Sequence, residues 1–137
     1  MADGKILAID DEKNIRHLIR SEFTLEGFDV TTAGSGEEGL EKFNQNRFDI
    51  VFLDLKLPGI DGIETLRQLK RQSSSTAVIM ITAYGTVETA VDALKHGAFD
   101  YIGKPIDPDE LSHVVRRALE QRQLRAENVQ LRQKIEQ

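Results

Sequence analysis

With 39% hydrophobic and 30% charged residues in 137, the chain has the size and mixture of one globular domain around a single core. A formal net charge of -5 argues against a basic face able to neutralise nucleic-acid phosphates, so direct nucleic-acid contact is not expected. The absence of cysteine excludes a disulfide framework and a thiolate zinc site and fits a cytoplasmic protein, and no apolar run approaches the ~20 residues of a membrane span.

Short apolar runs alternate with stretches of helical period, the pattern of βα units on a parallel sheet. The first strand is predicted over Lys5 to Ile9, followed by Asp10 and Asp11 and by a helix whose stripe is Ile15, Leu18, Ile19 and Phe23, stopped at Gly27. A second strand, Phe28 to Thr32, leads to Ser35 and Glu38 at capping-box spacing and a helix carrying Leu40 and Phe43. A third strand, Asp49 to Leu53, runs into Asp54; Asp61 and Glu64 then start a helix with Ile63, Leu66 and Leu69. The fourth strand, Ala77 to Thr82, precedes a helix with Val87, Ala90, Val91 and Leu94, stopped at Gly97. The fifth, Phe99 to Ile102, precedes Gly103-Lys104-Pro105. Asp107, Pro108 and Glu110 then place a cap, a first-turn proline and an acidic first turn in order.

Val51-Phe52-Leu53 and Val78-Ile79-Met80-Ile81 are apolar without alternation, as expected of central strands covered on both faces. The expected fold is an α/β, flavodoxin-like (βα)5 parallel sheet of strand order 2-1-3-4-5 with an extended C-terminal helix. Ligands of such sheets bind outside the carboxyl ends of the strands, at the switch between strands 1 and 3. Asp10, Asp11 and Asp54 all fall there.

Taken singly, each of these residues has an ordinary role. Asp10 or Asp11 suits a helix N-cap, Thr82 is a strand-end hydroxyl, and Lys104 is a solvated loop lysine. Together they form a constellation. Strand 3 lies between strands 1 and 4, so Asp54 has Asp10 and Asp11 on one side and Thr82 on the other. Lys104, two strand spacings or ~10 Å across the sheet, can lean its ammonium back toward the carboxylate. Magnesium, or manganese in its place, prefers hard oxygen ligands and takes one or two carboxylates. Asp11 and Asp54 would supply these, with Asp10 holding a metal-bound water and the Lys56 backbone carbonyl a further oxygen. An aspartate can attack phosphorus to form an acyl phosphate. Lys104 would oppose the phosphoryl charge, and Thr82 would donate to the product.

The motifs Ile9-Asp10-Asp11-Glu12, Asp54-Leu55-Lys56-Leu57-Pro58-Gly59-Ile60-Asp61-Gly62, Ile81-Thr82-Ala83-Tyr84-Gly85 and Asp100-Tyr101-Ile102-Gly103-Lys104-Pro105 resemble, in order and spacing, the receiver domains of two-component response regulators. The resemblance runs from about Lys5 to Leu119. It implies that Asp54 is the phosphoacceptor for a phosphohistidine on a sensor histidine kinase, and that the chain catalyses its own phosphorylation and slow autodephosphorylation without being a conventional enzyme. It further implies that Thr82 moves toward the phosphoryl group while Tyr101 turns inward, re-forming the face of helix 4, strand 5 and helix 5, and that the Lys104-Pro105 bond is cis. Read without that resemblance, Tyr101 is a plain aromatic strand residue. Lys56 and Tyr84 are expected to border the pocket, and His17, His96 and His113 to lie on the surface.

The organisation expected is a receiver over residues 3–119 and a helical linker over 120–137. Pro108 to Gln137 contains no glycine and no further proline, so one helix of ~45 Å is possible. Leu124, Asn128, Leu131 and Ile135 fall at d, a, d and a of a heptad register, a pattern for a coiled-coil homodimer; a solvated, fraying linker helix is the plainer reading. The segment Leu124 to Arg132 and the receiver motifs also resemble the NtrC/DctD-type activators that act on the sigma-54 polymerase. That resemblance implies an output AAA+ ATPase and a DNA-binding domain in a longer protein. A stand-alone receiver working through protein contacts is the alternative. A haloacid-dehalogenase phosphatase would need a second aspartate at position 56, where Lys stands, and a flavin or nucleotide binder would be repelled by Asp10-Asp11-Glu12.

Overall fold

The computed structural model describes residues 4–83 and 86–136, with side chains through Leu124. The apolar runs become five parallel strands: β1 (Lys5–Ile9), β2 (Asp29–Ala33), β3 (Ile50–Asp54), β4 (Ala77–Thr82) and β5 (Asp100–Gly103). They pair in the order β2-β1-β3-β4-β5. Between and after them lie α1 (Lys13–Leu25), α2 (Gly36–Gln45), α3 (Gly62–Gln72), α4 (Val87–Lys95) and α5 (Pro108–Glu136). This is the flavodoxin-like topology predicted.

Side chains alternate across the sheet at period two. Ile6, Ala8, Ile50, Phe52, Ile79 and Ile81 pack against α1 and α5, which contribute Ile19, Phe23, Leu111 and Val115. Leu7, Ile9, Val51, Leu53, Val78 and Met80 face α2, α3 and α4. Strands β3 and β4 are buried along their whole length, which explains why they carry no polar alternation.

Three strands begin and end one residue later than predicted. At β2 the reason is the helix before it. Gly27, at φ 96°, lets the Phe28 N–H reach the Phe23 carbonyl at 2.9 Å and its own N–H reach the Thr24 carbonyl at 3.2 Å. These are the two bonds of a Schellman motif, completed by an edge-on contact of the Phe23 and Phe28 rings. Phe28 therefore belongs to the exit of α1. Gly97, at φ 102°, does the same for α4, with Ala98 N–H donating to the Ala93 carbonyl.

The caps match the predicted positions and differ in detail. Ser35 and Asp61 accept from the N–H of Glu38 and Glu64. The return half of each box is diverted, with the Glu38 carboxylate accepting from Gly34 N–H and that of Glu64 from Gln68. The reciprocal box belongs to Thr86 and Thr89, at the start of α4.

Helix α4 departs from the expected burial of its stripe. Val87 is 82% exposed and Val91 and Leu94 are also exposed, whereas the small Ala93 is buried. The helix lies over β5, a four-residue edge strand. That edge offers little surface to cover a wide apolar stripe, and alanine permits the close approach.

Helix α5 is bound to the body at three levels. Ser112 Oγ donates to Glu26 Oε2 at 2.7 Å, Arg117 pairs with Asp100 while lying over the Phe99 ring, and Arg122 pairs with Asp49. The last tie lies beyond residue 119. Among the described residues no helix is long and apolar enough to cross a membrane.

Candidate functional site

The register of the ladder assembles the site. Ile9 is level with Leu53, so the residues that follow, Asp10 and Asp54, emerge side by side. On the other flank of β3, Asp54 is level with Ile81 and Thr82 comes next. The Lys104 N–H donates to the Thr82 carbonyl at 2.9 Å, carrying the β4–β5 pairing one residue past the strand end. The Lys104-Pro105 bond is cis, in agreement with the resemblance.

Each aspartate spends one oxygen on the local turn. Asp10 Oδ1 accepts from Glu12 N–H at 2.8 Å, and Asp54 Oδ1 accepts from Lys56 N–H at 3.1 Å. Their Oδ2 atoms converge on the Lys104 ammonium, 3.1 Å from each, and Glu12 Oε1 closes on the same nitrogen at 2.9 Å. The bridge that sequence reasoning placed across two strand spacings is thus formed directly. Neither Asp10 nor Asp11 is the N-cap of α1; Glu12 holds that position without a side-chain cap bond.

Asp10 and Asp54 are only 2% and 4% exposed. Burial, helped by the neighbouring Asp54 charge, pushes the Asp10 carboxyl up to about 6, against the pull of the Glu12 N–H and Lys104. Burial also disfavours the Lys104 charge, but its bonds to Glu12 and Asp54 and the charge of Asp10 outweigh that and hold the ammonium firmly protonated. Asp10 Oδ2 lies at ion-pair distance from Lys104 but off the hydrogen-bonding direction; it is a buried oxygen without a hydrogen bond among the described residues.

Carboxylate oxygens of Asp10, Asp11, Glu12 and Asp54 all lie within 4.8 Å of one another. The Lys104 ammonium pairs with three of these four acids, all hard oxygen donors, and among the described residues Asp10 Oδ2 is a buried oxygen without a hydrogen bond. The arrangement fits a small divalent cation. A pocket beside it is lined by Asp11, Glu12, Asp54, Lys56, Ala83 and Lys104. Lys56 stands at its rim as expected, and Tyr84 lies outside the described residues.

Thr82 is buried at the end of β4. Tyr101 is half-buried on β5, its hydroxyl 3.4 Å from Thr89 Oγ1 of α4, away from the carboxylates. His17 and His113 are exposed, and His96 Nδ1 lies 2.8 Å from the Asp92 carbonyl of its own helix. Leu124 is exposed, while the side chains of Asn128, Leu131 and Ile135 lie outside the described part of α5. Glu12 is the member that sequence reasoning did not assign to the site. Its signal was present as the third consecutive acid after β1, and its reach to Lys104 distinguishes it from an ordinary glutamate at a helix N-terminus.

Comparison with known proteins agrees with this geometry. The family described as Response regulator receiver domain matches residues 6–116. Regulatory protein AtoC of Escherichia coli is 41% identical over 134 residues, covering 98% of this chain and 29% of that protein. The C4-dicarboxylate transport transcriptional regulatory protein DctD of Pseudomonas aeruginosa is 40% identical over 131 residues, covering 96% and 28%. The chain thus spans less than a third of these curated relatives. Among solved structures, NtrX from Brucella abortus in complex with ADP superimposes with a TM-score of 0.89 at 39% identity, covering 96% of this chain and 30% of that one. A CheY-like receiver domain protein from Methanospirillum hungatei gives 0.86 at 30% identity, covering 89% and 98%. With fold, strand-end geometry and sequence all in agreement, the chain belongs to the response regulator receiver domain family.

Proposed function

We propose that Asp54 is the phosphoacceptor, taking a phosphoryl group from a phosphohistidine of a sensor histidine kinase in a magnesium-dependent transfer. The observation that carries this reading is the buried Asp54 Oδ2 at 3.1 Å from Lys104 Nζ within a cluster of acids. An Asp54 oxygen attacks phosphorus, the N–P bond breaks, and the imidazole leaves with the bonding pair and takes a proton from solvent. Asp11, Asp54 and the Lys56 carbonyl would hold the metal, with Asp10 acting through a water. When bound, magnesium or manganese supplies positive charge against the phosphoryl oxygens.

Lys104 starts shared among Asp10, Glu12 and Asp54, and transfers its ammonium to the new phosphoryl oxygens. The product brings close to two negative charges and three acceptors, favouring the state in which the Thr82 hydroxyl and the ammonium are nearest. Tyr101 exchanges its contact with Thr89 for the space Thr82 vacates. The readout is the α4–β5–α5 face, where Val87, Val91 and Leu94 are already exposed. Slow hydrolysis by water past Lys56 resets the site.

The output reading is a larger NtrC/DctD-type, sigma-54-dependent activator, with AAA+ and DNA-binding domains outside residues 1–137 and a homodimer formed through Leu124, Asn128, Leu131 and Ile135. It is supported by the AtoC and DctD relatives, of which this chain matches less than a third. A stand-alone receiver is the second reading, favoured by the CheY-like protein matched over 98% of its own length. Coding sequence running past Gln137 into an ATPase phosphate loop discriminates the two.

A small acyl-phosphate donor with magnesium should label the chain once, through a linkage cleaved by hydroxylamine. Equal labelling of Asp54→Asn refutes the assignment. In sedimentation, truncation after Gln123, which keeps the Arg122 tie, should weaken self-association; equal monomers at high concentration refute the coiled coil.

A further inference from the structure

The loop from Leu55 to Asp61 carries Lys56 and borders the candidate metal site, yet it is held at its far end by a residue of another element. Gly62 N–H donates to the Leu55 carbonyl at 3.0 Å and closes the base of the loop. Gly62 also lies so near β3 that a Cβ there would come within 2.4 Å of the Asp54 carbonyl oxygen. At the tip, the Ile60 N–H donates to Glu37 Oε1 at 3.1 Å, across 23 residues of sequence. Glu37 stands on the first turn of α2.

Two glycines make that reach possible. Gly59, at φ 76°, lies beneath the same carboxylate, where a Cβ would meet Glu37 Oε2 at 2.2 Å. Gly36 lets the start of α2 sit against α3 and the loop, where a Cβ would come within 2.4 Å of Thr65 Oγ1 and 2.7 Å of Ile60 Cγ1. The loop is thus clamped between the end of β3 and the first turn of α2, and Glu37, which holds its tip, is exposed and outside the acidic cluster.

We infer that Glu37 is a positioning residue for the phosphoacceptor site: by holding the Ile60 amide it sets the course of the β3–α3 loop, and so the placement of the Lys56 backbone against Asp54. This rests on the reading of Lys56 as a metal-holding carbonyl, and deepens it. The role belongs to the acceptor oxygen of Glu37, not to its charge. Glutamine at this position retains the function and alanine loses it.

The test uses the whole chain, with magnesium chloride titrated by calorimetry and Ile60 amide exchange followed by NMR. Glu37 is exposed, so both substitutions leave the core intact. In Glu37→Ala the Ile60 amide should exchange faster and magnesium should bind about tenfold more weakly, the lower end of the scale for lost outer contacts at metal sites. Labelling of Asp54 should slow at low magnesium and recover at saturating magnesium. Glu37→Gln should stay within about twofold of the parent chain, because an amide oxygen accepts the same bond. Unchanged magnesium affinity in Glu37→Ala overturns the inference, as does a Glu37→Gln variant as weak as alanine, which would assign the effect to charge. Failure of the parent chain itself to bind magnesium overturns the functional reading and this inference with it; normal binding by both parent and alanine variant overturns the inference alone.

Discussion

Strand β3 has an aspartate at each end, and the two live in opposite electrostatic conditions. Asp49, just before the strand, is satisfied: Oδ2 accepts from Lys5 N–H at 2.8 Å and Oδ1 pairs with Arg122 of α5. Burial works against its charge, yet those two donors hold its carboxyl below the usual aspartate range. Asp54, five residues on, shares Lys104 with Asp10 and Glu12, and Asp11 stands near. Residue type and strand are common to both. A paired carboxylate fastens an element, whereas a crowded one demands a cation and stays reactive.

The largest expected separation between the ends lies in chemistry. Lys104→Met should slow labelling of Asp54 by a small phosphodonor about 100-fold, the scale of losing one charge-stabilising group. Arg122→Met should leave that rate unchanged. Rapid-quench labelling of the two variants breaks the comparison if both slow alike.

Next comes stability at the Asp49 end. Asp49→Ala leaves the Lys5 N–H and Arg122 without their acceptor and should cost about 2 kcal/mol. The denaturant midpoint should fall without a change in slope. Because the native pKa is depressed, this contribution is present above the ordinary aspartate pKa near 4 and is lost as pH falls through the lower native value. Asp49→Asn should therefore show a flatter acid limb in a melting-temperature profile than the parent chain, and parallel limbs would contradict the assignment.

At the other end the sign reverses. Asp10→Asn removes one of the crowded charges while Lys104 keeps Glu12 and Asp54, so the metal-free protein should gain about 1 kcal/mol, and magnesium affinity should fall. A loss of stability in thermal melts would show that Lys104 already balances the cluster. The smallest effect is expected on α4, where Val91→Ser, on an exposed face, should change stability by no more than about 0.5 kcal/mol. A larger loss in denaturant titration would place that face within the receiver's own packing.

The central sheet was legible because β3 and β4 are buried on both faces, and unbroken runs such as Val78 to Ile81 have few other uses. Gly27 and Gly97 marked helix ends because their positive φ is a local backbone requirement. The stripe of α4 was misleading for a physical reason: periodicity reports which residues share a face, not whether anything lies beneath it, and over the short edge strand β5 the face stays open. At the site, Asp10, Asp54 and Lys104 were readable from strand ends, while Glu12 and Glu37 look like ordinary acids at helix N-termini, one at the N-cap of α1 and the other in the first turn of α2. Their partners, Lys104 and Ile60, are 92 and 23 residues away.

What the amino-acid sequence determined alone is local: strands from apolar runs, helix boundaries from caps and glycines, and the chemical kinds of group at the strand ends. Topology followed because alternating βα units have few compatible ways to pack. The tertiary structure decided which charges meet. It gave Asp49 two donors and, among the described residues, left Asp10 Oδ2 without a hydrogen bond, drew Lys104 into three carboxylates, and laid a glutamate of α2 against the loop after Asp54. Electrostatic and hydrogen-bond energies depend on separations of a few ångströms between residues distant in the chain, and only the folded arrangement specifies those separations.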